Sequence, residues 1–207
     1  MQLSSRFDQA LTFASQLHRT QVRRGSGVPY VSHLLGVCSL VLEYGGDEDC
    51  AIAALLHDAI EDQGGLDTRD EISQRFGERV TAIVEACTDA YETPKPPWRE
   101  RKEAYLAHIP KMTDSAALVS AADKIYNARS IIKDWRQIGE AIWERFKAKK
   151  KGTLWYYSTL ADAFEKREPT PIVRELRRTV DQLNAIAVAI KRFFSNSFQK
   201  LIPDLDL

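Results

Sequence analysis

The chain has 207 residues, a length that suits one compact domain. Hydrophobic residues make up 44% and charged residues 28%, which excludes a disordered or membrane-embedded composition. Lys plus Arg and Asp plus Glu each total 29, so the formal net charge is +0 and wholesale nucleic-acid binding is not favoured. The first ten residues do not have the charged-then-apolar pattern of a secretion signal, so we expect none, and no apolar run approaches the roughly 20 residues that span a bilayer. We expect a cytoplasmic protein with no membrane or nucleic-acid partner.

Apolar residues recur at helical spacing from the start of the chain. A first helix is predicted over residues 5–20, followed by a loop at 23–29 that contains two glycines and a proline. A second helix is predicted from Ser32, a favourable N-cap, to about residue 43. The third helix, residues 50–62, is apolar enough to predict burial on most sides, with Asp47 or Asp49 as its cap.

The second half continues the helical pattern. Further helices are predicted at 68–76, 77–90, 99–109, 115–134, 138–149 and 153–167, and a last one starts at Pro171. Three prolines in residues 92–98 predict a loop. We therefore predict an all-α fold, with one domain over residues 1–195 and a C-terminal tail over 196–207.

The most apolar helix ends in a cluster of ionisable residues: His57, Asp58, Glu61 and Asp62. Charge is costly in such a place. At about 100° per residue, the four side chains share an arc of roughly 140° on one helix face. A divalent cation would offset both the carboxylate repulsion and the negative end of the helix dipole. One His nitrogen beside one Asp oxygen suits Mn²⁺, Fe²⁺ or Zn²⁺.

Two more candidate ligands lie in apolar helical segments. His33 opens the second helix in PYVSHLLGV, and Asp123 lies in AADKIYN, four residues before Asn127. A buried carboxylate beside a buried amide indicates a ligand site rather than packing. His18, on the first helix, is expected to be packed or hydrogen-bonded rather than a ligand.

The phrases FASQLHRTQVRRGSGVPYVSH, AALLHDAIED, RFGERVTAIVEACTD, RERK and AADKIYN carry a resemblance that covers about residues 5–165. They resemble the hydrolase domain of RelA/SpoT-type proteins in the HD superfamily, and the short chain resembles small alarmone hydrolases. The implied fold is a single helical HD-domain bundle. The sequence departs from the usual pattern at Leu34, where Pro is common, and at Arg24, where Lys is common.

The resemblance implies one divalent ion per chain, usually Mn²⁺, although other divalent ions remain candidates. Its implied ligands are His33, His57, Asp58 and Asp123. A water activated by such an ion is a nucleophile for phosphorus. Glu61 and Asp62 would orient or deprotonate that water.

The implied substrate is a nucleotide with a 3′-pyrophosphate, (p)ppGpp or (p)ppApp, cleaved to the 5′-nucleotide and pyrophosphate. Arg23 and Arg24 would neutralise its phosphates, since guanidinium groups form forked hydrogen bonds with phosphate. Asn127 would contact the nucleoside and Tyr156 would line its pocket.

Two other functions stay open beside the pyrophosphohydrolase. One is an HD phosphomonoesterase of ordinary nucleotides, against which PYxxH and RERK argue. The other is a non-catalytic module that binds an alarmone for regulation, against which the intact Glu61-Asp62 pair argues. The resemblance also leaves open a homo-oligomer and a functional pairing with an alarmone synthetase.

Overall fold

In a computed structural model of the protein, residues 2–89 and 94–201 are described, with 188–201 as backbone only. The first α-helices are α1 (Ser5–Leu17), α2 (Val31–Glu43), α3 (Glu48–Leu56), α4 (Ala59–Asp62) and α5 (Leu66–Phe76). They are followed by α6 (Glu78–Cys87), α7 (Trp98–His108), α8 (Asp114–Ile138), α9 (Lys149–Arg167) and α10 (Pro171–Leu201). The described residues form no strand, only an isolated antiparallel bridge between Val22 and Pro29. The predicted all-α fold is confirmed.

Helix α3 lies at the centre of the described bundle. All its residues from Cys50 to Leu56 are buried, and it packs against α1, α2, α6 and α8. Its N-cap is Asp47, whose side chain accepts a hydrogen bond from the backbone N–H of Cys50 at 2.9 Å. The chain therefore places the polar sequence that follows Leu56 at the end of a fully buried helix.

A single helix over residues 50–62 was the wrong prediction, because the helix is broken at His57 and Asp58. Asp58 has φ −99° and ψ −2°, in the sparsely occupied bridge region of backbone space. On an unbroken helix these neighbouring side chains would diverge by about 100°. The break lets both face one site, and their contacts there outweigh the helical propensity of the segment.

The sequence predicted Ser32 as the N-cap of the second helix, and this prediction was wrong. Helix α2 begins at Val31 with Tyr30 as its N-cap. The preceding loop is closed by backbone hydrogen bonds from Tyr30 N–H to the Gln21 carbonyl at 3.0 Å and from Arg23 N–H to the Val28 carbonyl at 2.8 Å. At the end of this bridge Tyr30 already has helical φ and ψ angles of −62° and −31°. The helix therefore starts before Ser32.

One further prediction, in the C-terminal half of the chain, differs from the structure. The predicted α-helix at 138–149 is wrong: Gly139 has φ +59° and ends α8, and Gly139–Arg145 is a 3₁₀ helix. The last helix starts at Pro171 as predicted and continues to Leu201. Residues 90–93, within the predicted helix end and loop, and 202–207, within the predicted tail, lie outside the described residues.

Helix α8 is the second element that positions the site. It begins at the N-cap Thr113 and packs against α2, α3, α6, α9 and α10. Its buried face includes Asp123 near the middle of the helix. Among the described helices, none combines the length and apolar character needed to cross a bilayer.

Leu34, which follows His33, is fully buried in the core, whereas Leu35 beside it is 46% exposed. Leu34→Ala should therefore lower the free energy of unfolding by about 2–5 kcal/mol, because it leaves a cavity. The matched change Leu35→Ala should stay within about 0.5 kcal/mol. Urea unfolding in EDTA measures both, and equal losses would contradict this placement of Leu34.

Candidate active site

Four predicted site residues meet where α2, the α3–α4 junction and α8 come together: His33, His57, Asp58 and Asp123. The Nε2 atoms of His33 and His57 are 3.1 Å apart. Asp58 Oδ2 lies 3.2 Å from the first nitrogen and 3.1 Å from the second. Asp123 Oδ1 lies 3.3 Å and 3.6 Å from the same two atoms. We call these four residues the HD cluster.

The HD cluster fits a divalent ion. Ligand atoms roughly 2.1 Å from one ion are separated from each other by about 3.0–3.4 Å, close to the separations found here. His57 Nδ1 contacts the Ala54 carbonyl at 2.8 Å and must donate to it, so Nε2 presents a lone pair to the cluster when the ring is neutral. In the described part of the chain, ligand atoms of His33, His57 and Asp58 lie within 4.8 Å of one another.

The electrostatics of the HD cluster also call for a cation. Burial alone would raise the pKa of Asp58 and Asp123, but His57 beside Asp58 and Lys124 beside Asp123 hold both pKa values well below the ordinary range. Burial alone would lower the pKa of His57, yet the charge of Asp58 and hydrogen bonds with Asp123 and Asp58 raise it to about 10. Two ionised carboxylates thus attract positive charge, which a bound cation would supply.

Tyr30 orients Asp58, a role that the sequence prediction missed. Its hydroxyl donates to Asp58 Oδ2 at 2.6 Å, and its ring packs edge-on against His33 with centroids 5.5 Å apart. Burial and the charge of Asp58 raise the pKa of Tyr30, so the hydroxyl keeps its proton and stays a donor. The spacing of PYxxH, three residues from Tyr to His, was the available signal.

Asp123 is held by its neighbours on α8. Lys124 Nζ lies 2.6 Å from Asp123 Oδ2, and the Asn127 amide donates to Asp123 Oδ1. The side-chain oxygen of Asn127, Oδ1, accepts a hydrogen bond from the Arg23 guanidinium at 2.6 Å. Asn127 therefore links the loop at residues 23–29, which we call the arginine loop, to the HD cluster.

Glu61 and Asp62 have separate partners. Glu61 pairs with Lys95 at 2.7 Å and accepts from the backbone N–H of Asp89 at 3.2 Å. Asp62 Oδ2 accepts from the side chain of Gln21 at 2.8 Å. Burial and the charge of Asp58 raise the pKa of Asp62, which moves its carboxyl group towards the range that suits proton transfer.

A cavity of about 510 Å³ is lined by residues of the arginine loop, α7, α8, the 3₁₀ helix Gly139–Arg145 and α9. That volume is in the usual range for small-molecule sites. Among the described lining residues, Asp134 carries the only carboxylate, whereas basic side chains are numerous: Arg23, Arg24, Arg101, Lys102, Lys124, Lys133, Arg145 and Lys147. The cavity is therefore suited to an anionic ligand.

All four predicted substrate contacts line this cavity: Arg23, Arg24, Asn127 and Tyr156. Tyr156 is 6% exposed, and its hydroxyl has no hydrogen-bond partner among the described residues. Arg101 and Lys102, the last two residues of the RERK segment, also line the cavity. The sequence had predicted no role for them. Both contact Asp89, Lys102 at 2.9 Å.

Comparison with known proteins matches residues 10–154 to the model of the HD domain. The chain belongs to the HD-domain family. This HD-domain protein is 40% identical over 126 residues to guanosine-3′,5′-bis(diphosphate) 3′-pyrophosphohydrolase MESH1 of Xenopus tropicalis, and the match covers 59% of the chain and 68% of that relative. The human protein of the same name is 38% identical with the same coverage.

A solved structure supports the assignment of the fold. It is described as a metazoan ortholog of SpoT that hydrolyzes ppGpp, and it superimposes with a TM-score of 0.72 at 24% identity, covering 88% of this chain and 97% of that one. The resemblance of this HD-domain protein to RelA/SpoT-type hydrolase domains is confirmed.

Tyr30→Phe removes the hydrogen bond to Asp58 and should weaken the binding of a divalent cation about 10-fold, because partners of metal ligands contribute about that much. Titration calorimetry with Mn²⁺ measures the dissociation constant. The control is Tyr44→Phe, since Tyr44 is the C-cap of the same helix α2. An unchanged affinity in Tyr30→Phe would contradict this role for Tyr30.

Proposed function

We propose that this HD-domain protein hydrolyses the 3′-pyrophosphate of an alarmone nucleotide, (p)ppGpp or (p)ppApp, and releases the 5′-nucleotide and pyrophosphate. The observation that carries the proposal is the meeting of the HD cluster with a basic cavity of nucleotide size through Arg23, Asn127 and Asp123. The names of the relatives, guanosine-3′,5′-bis(diphosphate) 3′-pyrophosphohydrolases, support the same activity.

His33, His57, Asp58 and Asp123 would hold one Mn²⁺ ion. When bound, such an ion supplies Lewis-acid activation of water and of the phosphoryl group. The protein's own part is to keep the carboxylates ionised and oriented. Tyr30 does this for Asp58, and Lys124 with Asn127 does it for Asp123.

The acidic pair would divide the work on the attacking water. Asp62, with its raised pKa, accepts a proton as the water oxygen bonds to phosphorus. Glu61, tied to Lys95 and to the backbone of Asp89, orients the water. As the bond between the 3′-oxygen and phosphorus breaks, that oxygen takes up a proton from solvent, Asp62 returns its proton to solvent, and pyrophosphate leaves.

The arginine loop and the cavity walls would bind the substrate. Arg23 and Arg24 neutralise its phosphates. The hydrogen bond from Arg23 to Asn127 holds the Arg23 guanidinium beside the HD cluster. Asn127 contacts the nucleoside. Tyr156, whose ring lies 6.1 Å from that of Trp98, provides an aromatic wall for it.

A substrate panel separates the three functions. The purified protein is incubated with ppGpp, ppApp or a simple 5′-nucleotide, each with Mn²⁺ or with EDTA, and the products are separated. Release of pyrophosphate that requires Mn²⁺ is the expected result. Turnover of the 5′-nucleotide alone would identify a phosphomonoesterase, and binding of an alarmone without turnover would identify a regulatory module.

Asp58→Asn should lower the rate of pyrophosphate release about 100-fold, because it replaces a charged carboxylate ligand with a neutral amide. The matched control is Asp181→Asn on α10, where the aspartate is exposed. Steady-state assays at saturating Mn²⁺ measure the rates. Activity in Asp58→Asn equal to that of the control would contradict the proposed metal site.

Several finer points stay predictions: the preference for Mn²⁺, the cytoplasmic location, a homo-oligomer, and pairing with an alarmone synthetase. The division of the chain into a domain at 1–195 and a tail at 196–207 is also a prediction. The substrate panel, repeated with other divalent ions, tests the first of these.

A further inference from the structure

Three side chains that have no part in the HD cluster form a chain of hydrogen bonds leading to Asp62: His18, Gln21 and Gln63. His18 Nδ1 lies 2.6 Å from the side-chain oxygen of Gln21, and the amide nitrogen of Gln63 lies 2.5 Å from that oxygen. The amide nitrogen of Gln21 contacts Asp62 Oδ2 at 2.8 Å. Of these three residues, Gln21 is thus the one that contacts the candidate catalytic carboxylate of Asp62 directly.

The chemistry of these groups fixes the direction of every bond. Asp62 Oδ2 accepts, so the Gln21 nitrogen must face it and the Gln21 oxygen must face the other two residues. That oxygen can only accept, so His18 carries a proton on Nδ1 and Gln63 donates through its amide. The orientation of the Gln21 amide is therefore determined from both ends.

His18 is a rigid support for this arrangement. It is 2% exposed and stacks on Tyr30, with ring centroids 5.1 Å apart and planes 13° apart. Its Nε2 has no hydrogen-bond partner among the described residues. The ring therefore makes its side-chain contacts through Nδ1, which lies 2.6 Å from the Gln21 oxygen and 3.5 Å from the Gln63 amide nitrogen. The short contact to Gln21 is the hydrogen bond that Nδ1 donates.

The backbone of Gln21 is fixed as well. Its N–H donates to the His18 carbonyl at 3.0 Å, and its carbonyl accepts from the Tyr30 N–H at 3.0 Å. The turn after α1 and the bridge before α2 thus hold the residue on both sides. Of the two Asp62 oxygens, Oδ2 is engaged by Gln21, while Oδ1 accepts no hydrogen bond from the described residues.

We infer that Gln21 is a positioning residue, which holds Asp62 so that Oδ1 faces the attacking water, and that His18 and Gln63 fix the Gln21 amide for this purpose. The inference rests on the proposed hydrolase function. Gln21 acts through Asp62: it is not a member of the HD cluster and is not among the residues that line the cavity. It should therefore affect the chemical step and leave the binding of both unchanged.

The test is Gln21→Met, which keeps an unbranched side chain of similar length and removes the donor. We expect kcat for pyrophosphate release to fall about 10-fold, as for other residues that orient reactive groups, with KM and the Mn²⁺ dissociation constant within about twofold of wild type. Gln16→Met, at an exposed position on α1, is the control and should leave all three unchanged.

A double-mutant cycle with Asp62→Ala shows whether Gln21 acts through Asp62. If it does, Gln21→Met has almost no further effect once Asp62 is absent, measured in single turnovers with enzyme in excess. An equal loss in both backgrounds overturns the inference, as does an unchanged kcat in Gln21→Met or a loss confined to KM or metal affinity.

A second variant guards against a folding defect. If thermal unfolding shows Gln21→Met to be partly unfolded at the assay temperature, Gln21→Glu replaces it, since it keeps the size but faces Asp62 with a like charge. The same loss in kcat, absent in the Asp62→Ala background, is expected, and its absence overturns the inference. Failure of the wild type to release pyrophosphate would instead overturn the proposed function.

Discussion

The structure depends on the burial of charge at the end of its most apolar helix. Asp58 and Asp123 stay ionised beside two imidazoles that are almost fully buried, within a few ångströms of one another. Isolated charges in such a place are very costly. The surrounding residues are therefore arranged to donate hydrogen bonds or positive charge, and the backbone breaks at His57 and Asp58 so that both reach the same point.

Basic side chains and carboxylates are segregated around the HD cluster. Basic residues line the adjacent cavity, and Arg23 reaches the cluster through Asn127. The acidic pair is held from elements distant in the chain, Glu61 by Lys95 and Asp62 by Gln21. This separation keeps a polyanionic ligand away from unpaired carboxylates while leaving one carboxylate beside the site for proton transfer.

The sequence predicted the helices and the members of the HD cluster because each ionisable residue stood out against an apolar helical pattern. It did not predict the break after Leu56, since the local pattern of the segment is continuous and only tertiary contacts interrupt it. Nor did it predict the partners of Glu61 and Asp62. They lie 34 and 41 residues away, and no local periodicity records such pairs.

The HD cluster draws its members from three parts of the chain, around residues 33, 57 and 123. An ion bound there would act as a cross-link between α2, the end of α3 and α8. Because the unfolded chain does not keep these residues together, the free energy of ion binding adds to the free energy of folding. The stability of the whole bundle then becomes a function of the concentration of free metal in its surroundings.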